Sequence, residues 1–152
     1  MTITLLAIGK TDNRDLSTLI NVYQQRLQHY IKTTFQVIPD IKNSKNLTED
    51  QQKEKEGELI LKSLQSSDIL ILLDERGKSY SSIAFAEALQ KRMNSGIKNL
   101  VFVIGGPYGF SEAVYQRALQ QISLSAMTFS HQMVRLIFVE QLYLWRHDVI
   151  FF

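Results

Sequence analysis

One pattern recurs five times along this chain: a short strand-like run is followed by a segment with apolar residues at helical spacing. Some of the runs, such as DILILLD, are apolar throughout, which is typical of strands covered on both faces. The alternation predicts an α/β fold in which helices cover both faces of a parallel sheet. The predicted strands run from Thr2 to Gly9, Thr34 to Asp40, Asp68 to Asp74, Asn99 to Gly106 and Gln121 to Thr128.

The segments between the strands predict five helices, and nothing in the sequence separates them into two units. With 152 residues, 45% of them hydrophobic, the chain is long enough to bury one core. It has no internal repeat, low-complexity tract or linker, so we expect a single domain over residues 1–152. The predicted helices begin near Asp15, Glu49, Ser81, Glu112 and Ser130, and end near Ile31, Leu64, Gly96, Gln120 and Arg146.

Composition narrows the functional classes. The chain has no cysteine, which excludes disulfides and thiolate metal sites, and its three histidines are scattered, so we expect no metal. The first ten residues place their only basic side chain after the apolar run, the reverse of a secretory signal. No apolar run approaches the ~18 residues of a spanning helix. We therefore expect a cytoplasmic protein without membrane contact. A net charge of +2 permits a nucleic-acid partner without proving one.

Three predicted strands end in polar or glycine-rich stretches, and ligands of open parallel sheets bind beyond the carboxyl ends of strands. The first stretch, IGGPYG, lacks the Lys-Ser/Thr of a Walker loop and the spacing of a dinucleotide fingerprint. It is either a tight turn that needs positive φ or a rigid loop whose bare backbone faces a ligand. SLSAMT is either a plain strand or a wall for a flat ligand such as adenine. LDERGK is either a solvated turn or a place where Arg76 and Lys78 meet phosphates.

The last predicted helix is apolar on almost every side between Met133 and Trp145. Such a helix is buried on several sides, so we expect one side on the sheet and the other on a second copy in a two-fold dimer. Arg135 within it needs a partner or a ligand. Two interpretations stay open: a salt bridge, for instance to Glu140 of a partner subunit, and a contact with RNA.

In their order and spacing, LLDERGK, FVIGGPYGFSEAV, ISLSAMTFSHQMVR and VEQLY closely resemble the ribosomal RNA large subunit methyltransferase H family, a group of small SPOUT-class enzymes. The resemblance runs from LLAIGK to Tyr143. It implies an α/β fold with a deep C-terminal trefoil knot, a rare topology that composition does not predict. It also implies a homodimer with the active site at the subunit interface.

The resemblance further implies a reaction, the S-adenosylmethionine-dependent methylation of N3 of a pseudouridine in helix 69 of 23S rRNA, on the assembled ribosome. No residue is identified as a catalytic base. By position, the family's cofactor contacts fall on Leu73, Gly105, Leu124, Ser125, Ala126, Met127, Thr128 and Phe129.

The match to the family ends after Tyr143. Members continue with Arg-Ala and end in Pro-Tyr-His, beside the cofactor and the substrate nucleotide, whereas this chain reads LWRHDVIFF. Two interpretations follow: an active rRNA methyltransferase, or a cofactor- and RNA-binding SPOUT protein with impaired or no catalysis. A third, an unrelated flavodoxin-like nucleotide-binding module, disagrees with the order of the motifs.

Overall fold

The computed structural model describes residues 1–147, in which five parallel strands form one sheet in the order β2-β1-β4-β3-β5. The predicted parallel α/β architecture is confirmed. A flavodoxin-like sheet has the order 2-1-3-4-5, so the exchange of β3 and β4 excludes that alternative. The strands are β1 (Thr2–Ile8), β2 (Thr33–Ile38), β3 (Ile69–Ser79), β4 (Asn99–Ile104) and β5 (Gln120–Ser123).

Five helices cover both faces of the sheet, as the sequence predicts. Helices α1, α3 and α5 pack together on one face, and α2 and α4 pack on the other. Polar side chains at Asn13, Thr48, Ser81 and Ser111 accept hydrogen bonds from first-turn amides and begin four of them. The helices are α1 (Arg14–Gln28), α2 (Glu49–Lys62), α3 (Ser82–Asn94), α4 (Glu112–Arg117) and α5 (His131–His147), with a short 3-10 helix at Ser44–Asn46.

Helix α5 has one face buried in the protein's own core. Phe138 is fully buried, with its ring centre 4.6 Å from that of Phe102 in β4, and Leu142 and Trp145 extend the same face. On the other side the helix is partly exposed, and Met133 is 42% exposed although it is apolar. The prediction that one side of α5 packs on the sheet is therefore confirmed. The opposite side of the helix is partly exposed and carries apolar residues.

Strand β3 is longer than predicted. It does not end at Asp74, because Lys78 and Ser79 return to the ladder and pair with β5. Residues 74–77 bulge out between the two pairings. A Cβ on Gly77 would lie 2.5 Å from the backbone of β5, so only glycine lets the bulge pass this close to its neighbour.

Strand β5 ends at Ser123, whereas the sequence predicts a strand as far as Thr128. Beyond Ser123, side-chain bonds replace the ladder. The Ser123 hydroxyl donates to the Ser125 carbonyl oxygen at 2.9 Å, and the Ser125 hydroxyl accepts from the Met127 amide at 2.9 Å. Local bonds of this kind offer the backbone an alternative to sheet structure. Residues 124–130 therefore form a loop, which we call the serine loop.

Helix α4 is shorter than predicted. It ends at Arg117 rather than Gln120, and Ala118 already has an extended backbone. The Leu119 amide then donates to the Leu70 carbonyl oxygen of β3 at 2.8 Å. The chain thus enters the sheet as soon as the helix ends.

Candidate functional site

A cavity of about 610 Å³ lies at the carboxyl ends of β3, β4 and β5. Its volume falls within the roughly 300–1,000 Å³ usual for small-molecule sites. Its walls are the bulge of β3, the serine loop with the start of α5, the first turns of α2, and residues 105–110, which we call the glycine loop. All three stretches that the sequence marks as strand ends meet here.

The cavity brings together seven of the eight residues that the family resemblance assigns to the cofactor. Ala126 is the exception, because it is exposed and does not line the cavity. The seven are Leu73, Gly105, Leu124, Ser125, Met127, Thr128 and Phe129.

Each glycine of the glycine loop meets a different requirement. A Cβ on Gly105 would lie 3.0 Å from the Phe110 ring, and a Cβ on Gly106 would lie 2.6 Å from the carboxylate oxygens of Glu56. Gly109 has a φ of 84°, which other residues rarely adopt, and its amide donates to the Gly106 carbonyl oxygen at 3.3 Å. The stretch is therefore a tight turn and a cavity wall at once. A side chain at Gly105 would begin against the Phe110 ring.

Glu56 lies behind the glycine loop and is 3% exposed. Its Oε2 accepts a hydrogen bond from Gln52 at 3.2 Å, whereas Oε1 has no hydrogen-bond partner among the described residues. Burial raises the pKa of the Glu56 carboxyl above its usual range, although the bond from Gln52 opposes the rise and the charge of Asp40 adds to it. A buried carboxyl group thus supports the loop from below.

The serine loop presents apolar atoms at the opposite wall. Met127 is 76% exposed and Phe129 is 41% exposed, beside the partly buried Leu124. Large apolar side chains left open next to a cavity are a common mark of a binding surface. This wall suits a flat and partly apolar ligand.

Three side chains, Asp74, Arg76 and Tyr115, form a hydrogen-bonded group. Asp74 and Arg76 line the cavity here, and we call this part of it the mouth. The Tyr115 hydroxyl donates to Asp74 Oδ2 at 2.6 Å, and Arg76 Nη2 donates to the Tyr115 oxygen at 3.1 Å. The Arg76 amide also donates to Asp74 Oδ1 at 3.0 Å. Burial and the bond to Asp74 raise the pKa of Tyr115, so its phenol keeps the proton that it donates.

Arg135 does not line the cavity. Its side chain is 0% exposed, with Nη2 donating to the Ile8 carbonyl oxygen at 2.9 Å and Nη1 donating to Thr11 Oγ1 at 3.2 Å. Burial lowers the pKa of the guanidinium. A side chain so enclosed has no surface for RNA, so the structure does not support the RNA contact, which is one of the two interpretations that the sequence leaves open. Its bonds instead tie the start of α5 to the end of β1.

Sequence reasoning missed Glu56 and Tyr115. Glu56 is one of several carboxylates in the charged helix α2, and only burial distinguishes it. Tyr115 lies in a six-residue helix, too short for a periodicity that shows which way it faces. The adjacent motif GPYGFSEAV was the only signal that this helix belongs to the site.

Residues 1–147 contain neither a candidate metal site nor a candidate membrane-spanning helix. No group of three or more His, Cys, Asp or Glu side chains there could hold a metal ion. Within the same residues, no helix combines the length and apolar character that a membrane crossing needs.

Comparison with known proteins first identifies the class to which this protein belongs. Residues 1–147 match the family described as "Predicted SPOUT methyltransferase". Ribosomal RNA large subunit methyltransferase H of Flavobacterium johnsoniae is 67% identical over 143 residues, which are 94% of this chain and 91% of that protein. The proteins of the same name from Christiangramia forsetii and Bacteroides thetaiotaomicron are 66% and 58% identical with the same coverage. The chain therefore belongs to the SPOUT methyltransferases and, among them, to the ribosomal RNA large subunit methyltransferase H family.

The packing of the glycine loop gives a stability prediction. Gly105→Ala should lower the free energy of unfolding by about 1–3 kcal/mol, because the new Cβ crowds the Phe110 ring in a well-packed turn. Phe110→Leu on the same chain should remove most of that loss. Urea unfolding of both single variants and the double variant measures the coupling. Strictly additive losses would show that the two residues do not compete for space.

The buried carboxyl of Glu56 predicts how the stability of the protein changes with pH. The folded chain holds the Glu56 proton to higher pH than the unfolded chain, so its contribution to stability is full below the unfolded pKa and is lost as pH rises through the folded pKa. As pH rises from the ordinary glutamate range through the raised pKa of Glu56, the Glu56→Gln variant should therefore lose less stability than the unmutated protein. The exposed Glu58→Gln on the same helix is the control. Equal pH dependence in all three proteins would contradict the shift.

Proposed function

We propose that this enzyme transfers the methyl group of S-adenosylmethionine to N3 of a pseudouridine in helix 69 of 23S rRNA, on the assembled ribosome. One observation carries the proposal: the glycine loop and the serine loop, which match the family's cofactor motifs, meet in a single cavity. The relatives' name supports ribosomal RNA as the substrate. The choice of nucleotide rests on the family resemblance.

The side chains around the cavity fit this cofactor. Leu73, Ile104 and Leu124 supply apolar atoms for a purine, and the peptide groups of the glycine loop can bond its polar edges. Asp74 and Glu75 are among the residues that line the cavity, and their negative charge favours a cation there. When bound, S-adenosylmethionine supplies a methyl group on a sulfonium, already a strong electrophile. The residues then have to bind, orient and exclude water, and positioning contributes up to ~7–11 kcal/mol in favourable systems.

The proposal includes a homodimer, a knotted C-terminal part and a cytoplasmic location for a one-domain chain. The partly exposed apolar side of α5, with Met133 and Ile137, supports the dimer. The path of the chain supports the knot. The serine loop leaves β5 at one edge of the sheet, and Arg135 then fastens α5 beside Ile8, beyond the ends of β3 and β4.

The atypical ending keeps one alternative open: a cofactor- and RNA-binding SPOUT protein with impaired catalysis. Helix α5 continues past Tyr143, and Trp145 is buried in the core where the family places alanine. The fold thus accommodates the start of the different ending. Residues 148–152, where the family's Tyr-His is missing, lie outside the described residues.

The reaction is tested with ribosomes from cells that lack the modification. Added enzyme and methyl-labelled S-adenosylmethionine should label 23S rRNA, and mass spectrometry of nuclease fragments should place the methyl group in helix 69. Calorimetry on the same preparation measures cofactor binding. Binding without transfer would favour the alternative, and transfer to a different site would contradict the proposed substrate.

The dimer is tested by sedimentation. The unmutated protein should be a dimer at micromolar concentration, and Ile137→Asp should shift it toward monomer, because a charge would be buried at the partner. Leu19→Asp on the exposed side of α1, where Leu19 is 48% exposed, is the matched control and should remain a dimer. A monomeric unmutated protein would refute the dimer. Phe138 is unsuitable for this test, because it packs within its own subunit.

A further inference from the structure

The lining of the cavity is more acidic than basic. It carries the carboxylates of Glu49, Asp50, Asp74 and Glu75 but only two Lys or Arg side chains, Lys53 and Arg76. A polyanion such as RNA is repelled by this charge balance unless a cation meets its backbone. The two basic side chains therefore decide how a phosphate can approach.

The two basic side chains differ in their freedom to bind an anion. Lys53 Nζ lies 3.5 Å from Asp50 Oδ1, and its side chain is 30% exposed. The Arg76 side chain is 75% exposed, and its Nε lies 3.8 Å from an Asp74 carboxylate oxygen. Each basic side chain has a carboxylate neighbour, so exposure distinguishes them: Arg76 is open to solvent on one side, whereas Lys53 is more enclosed.

Arg76 is also held in place. Its Nη2 donates to the Tyr115 hydroxyl, which in turn donates to the buried Asp74 carboxylate. The same Nη2 would lie 4.0 Å from a Cβ on Gly109, so the guanidinium stands directly beside the glycine loop. A guanidinium has five N–H donors, and the side-chain contacts of Arg76 among the described residues involve Nη2 and Nε, so donors remain on a side chain that is 75% exposed. Paired N–H groups match the oxygens of a phosphate.

We propose that Arg76 binds a phosphodiester oxygen of the substrate RNA at the cavity mouth, and that Tyr115 and Asp74 position its guanidinium. The inference rests on the proposed function, because it takes RNA as the substrate. Phosphate contacts fix the register of a nucleic acid without reading its bases. Arg76 thus sets where the backbone lies, and Tyr115 is a positioning residue that does not itself touch the RNA.

The test uses the full-length enzyme with ribosomes that lack the modification. Arg76→Ala should raise KM for ribosomes by about tenfold, as expected for a lost charge-assisted hydrogen bond. kcat should change little, because the contact is the same in the bound and the transition states. The slope of log KM against log salt should fall by about one. Tyr115→Phe, which keeps the charge, should raise KM less and leave the salt slope unchanged.

Two further variants separate charge from geometry. Arg76→Lys keeps the positive charge but lacks the paired N–H groups of a guanidinium. It should therefore retain the salt slope of the unmutated enzyme and bind ribosomes more tightly than Arg76→Ala. Lys62→Ala removes an exposed charge at the far end of α2, outside the cavity, and should behave as the unmutated enzyme. Thermal melting of every variant shows that each is folded.

Three outcomes would overturn the inference. An unchanged KM for folded Arg76→Ala means that no phosphate is bound there. A weaker S-adenosylmethionine affinity by calorimetry, with KM for ribosomes unchanged, would assign Arg76 to the cofactor carboxylate instead. If the unmutated enzyme neither binds nor methylates ribosomes, the proposed function fails and this inference fails with it. Measuring the unmutated enzyme before the variants distinguishes this outcome from the other two.

Discussion

The cavity depends on the buried guanidinium of Arg135. Burying a charge is costly unless hydrogen bonds satisfy it, and here the bonds go to the carbonyl oxygen of Ile8 and the hydroxyl of Thr11, at the end of β1. This contact fixes where α5 begins. Because β5 lies at the far edge of the sheet, the serine loop must cross the ends of β3 and β4 to reach that point. The crossing segment is the second wall of the cavity, so the anchor of α5 also shapes the site.

The other wall depends on how closely the glycine loop packs on its supports. Phe110 lies under Gly105, and the Tyr115 ring meets the Phe110 ring edge-on with 5.8 Å between centres. The Tyr115 hydroxyl then reaches Asp74 in the bulge of β3. One continuous set of contacts therefore joins the glycine loop, α4 and β3. The cavity has a preorganised wall, which a reaction governed by positioning requires.

The sequence predicted the parts of this structure that depend on local periodicity. Alternating strand-like and helical patterns indicated all five strands and both covered faces, because the burial of an element shows in its own residues. The motifs also pointed to the three strand ends that meet at the cavity. The boundaries at Ser79 and Ser123 were missed, since they depend on where β3 and β5 stop pairing. Arg135 shows the same limit. Its need for a partner was visible, but the partner, Ile8, lies 127 residues away in the chain.

The most direct test of the cavity as the cofactor site is a crystal structure of the enzyme with S-adenosylmethionine. The purine should lie between the two loops, bonded to backbone groups within residues 105–109 and 124–128, with Leu73 and Leu124 against the ring. A cofactor bound outside the cavity, or inside it without contact to either loop, would contradict this assignment.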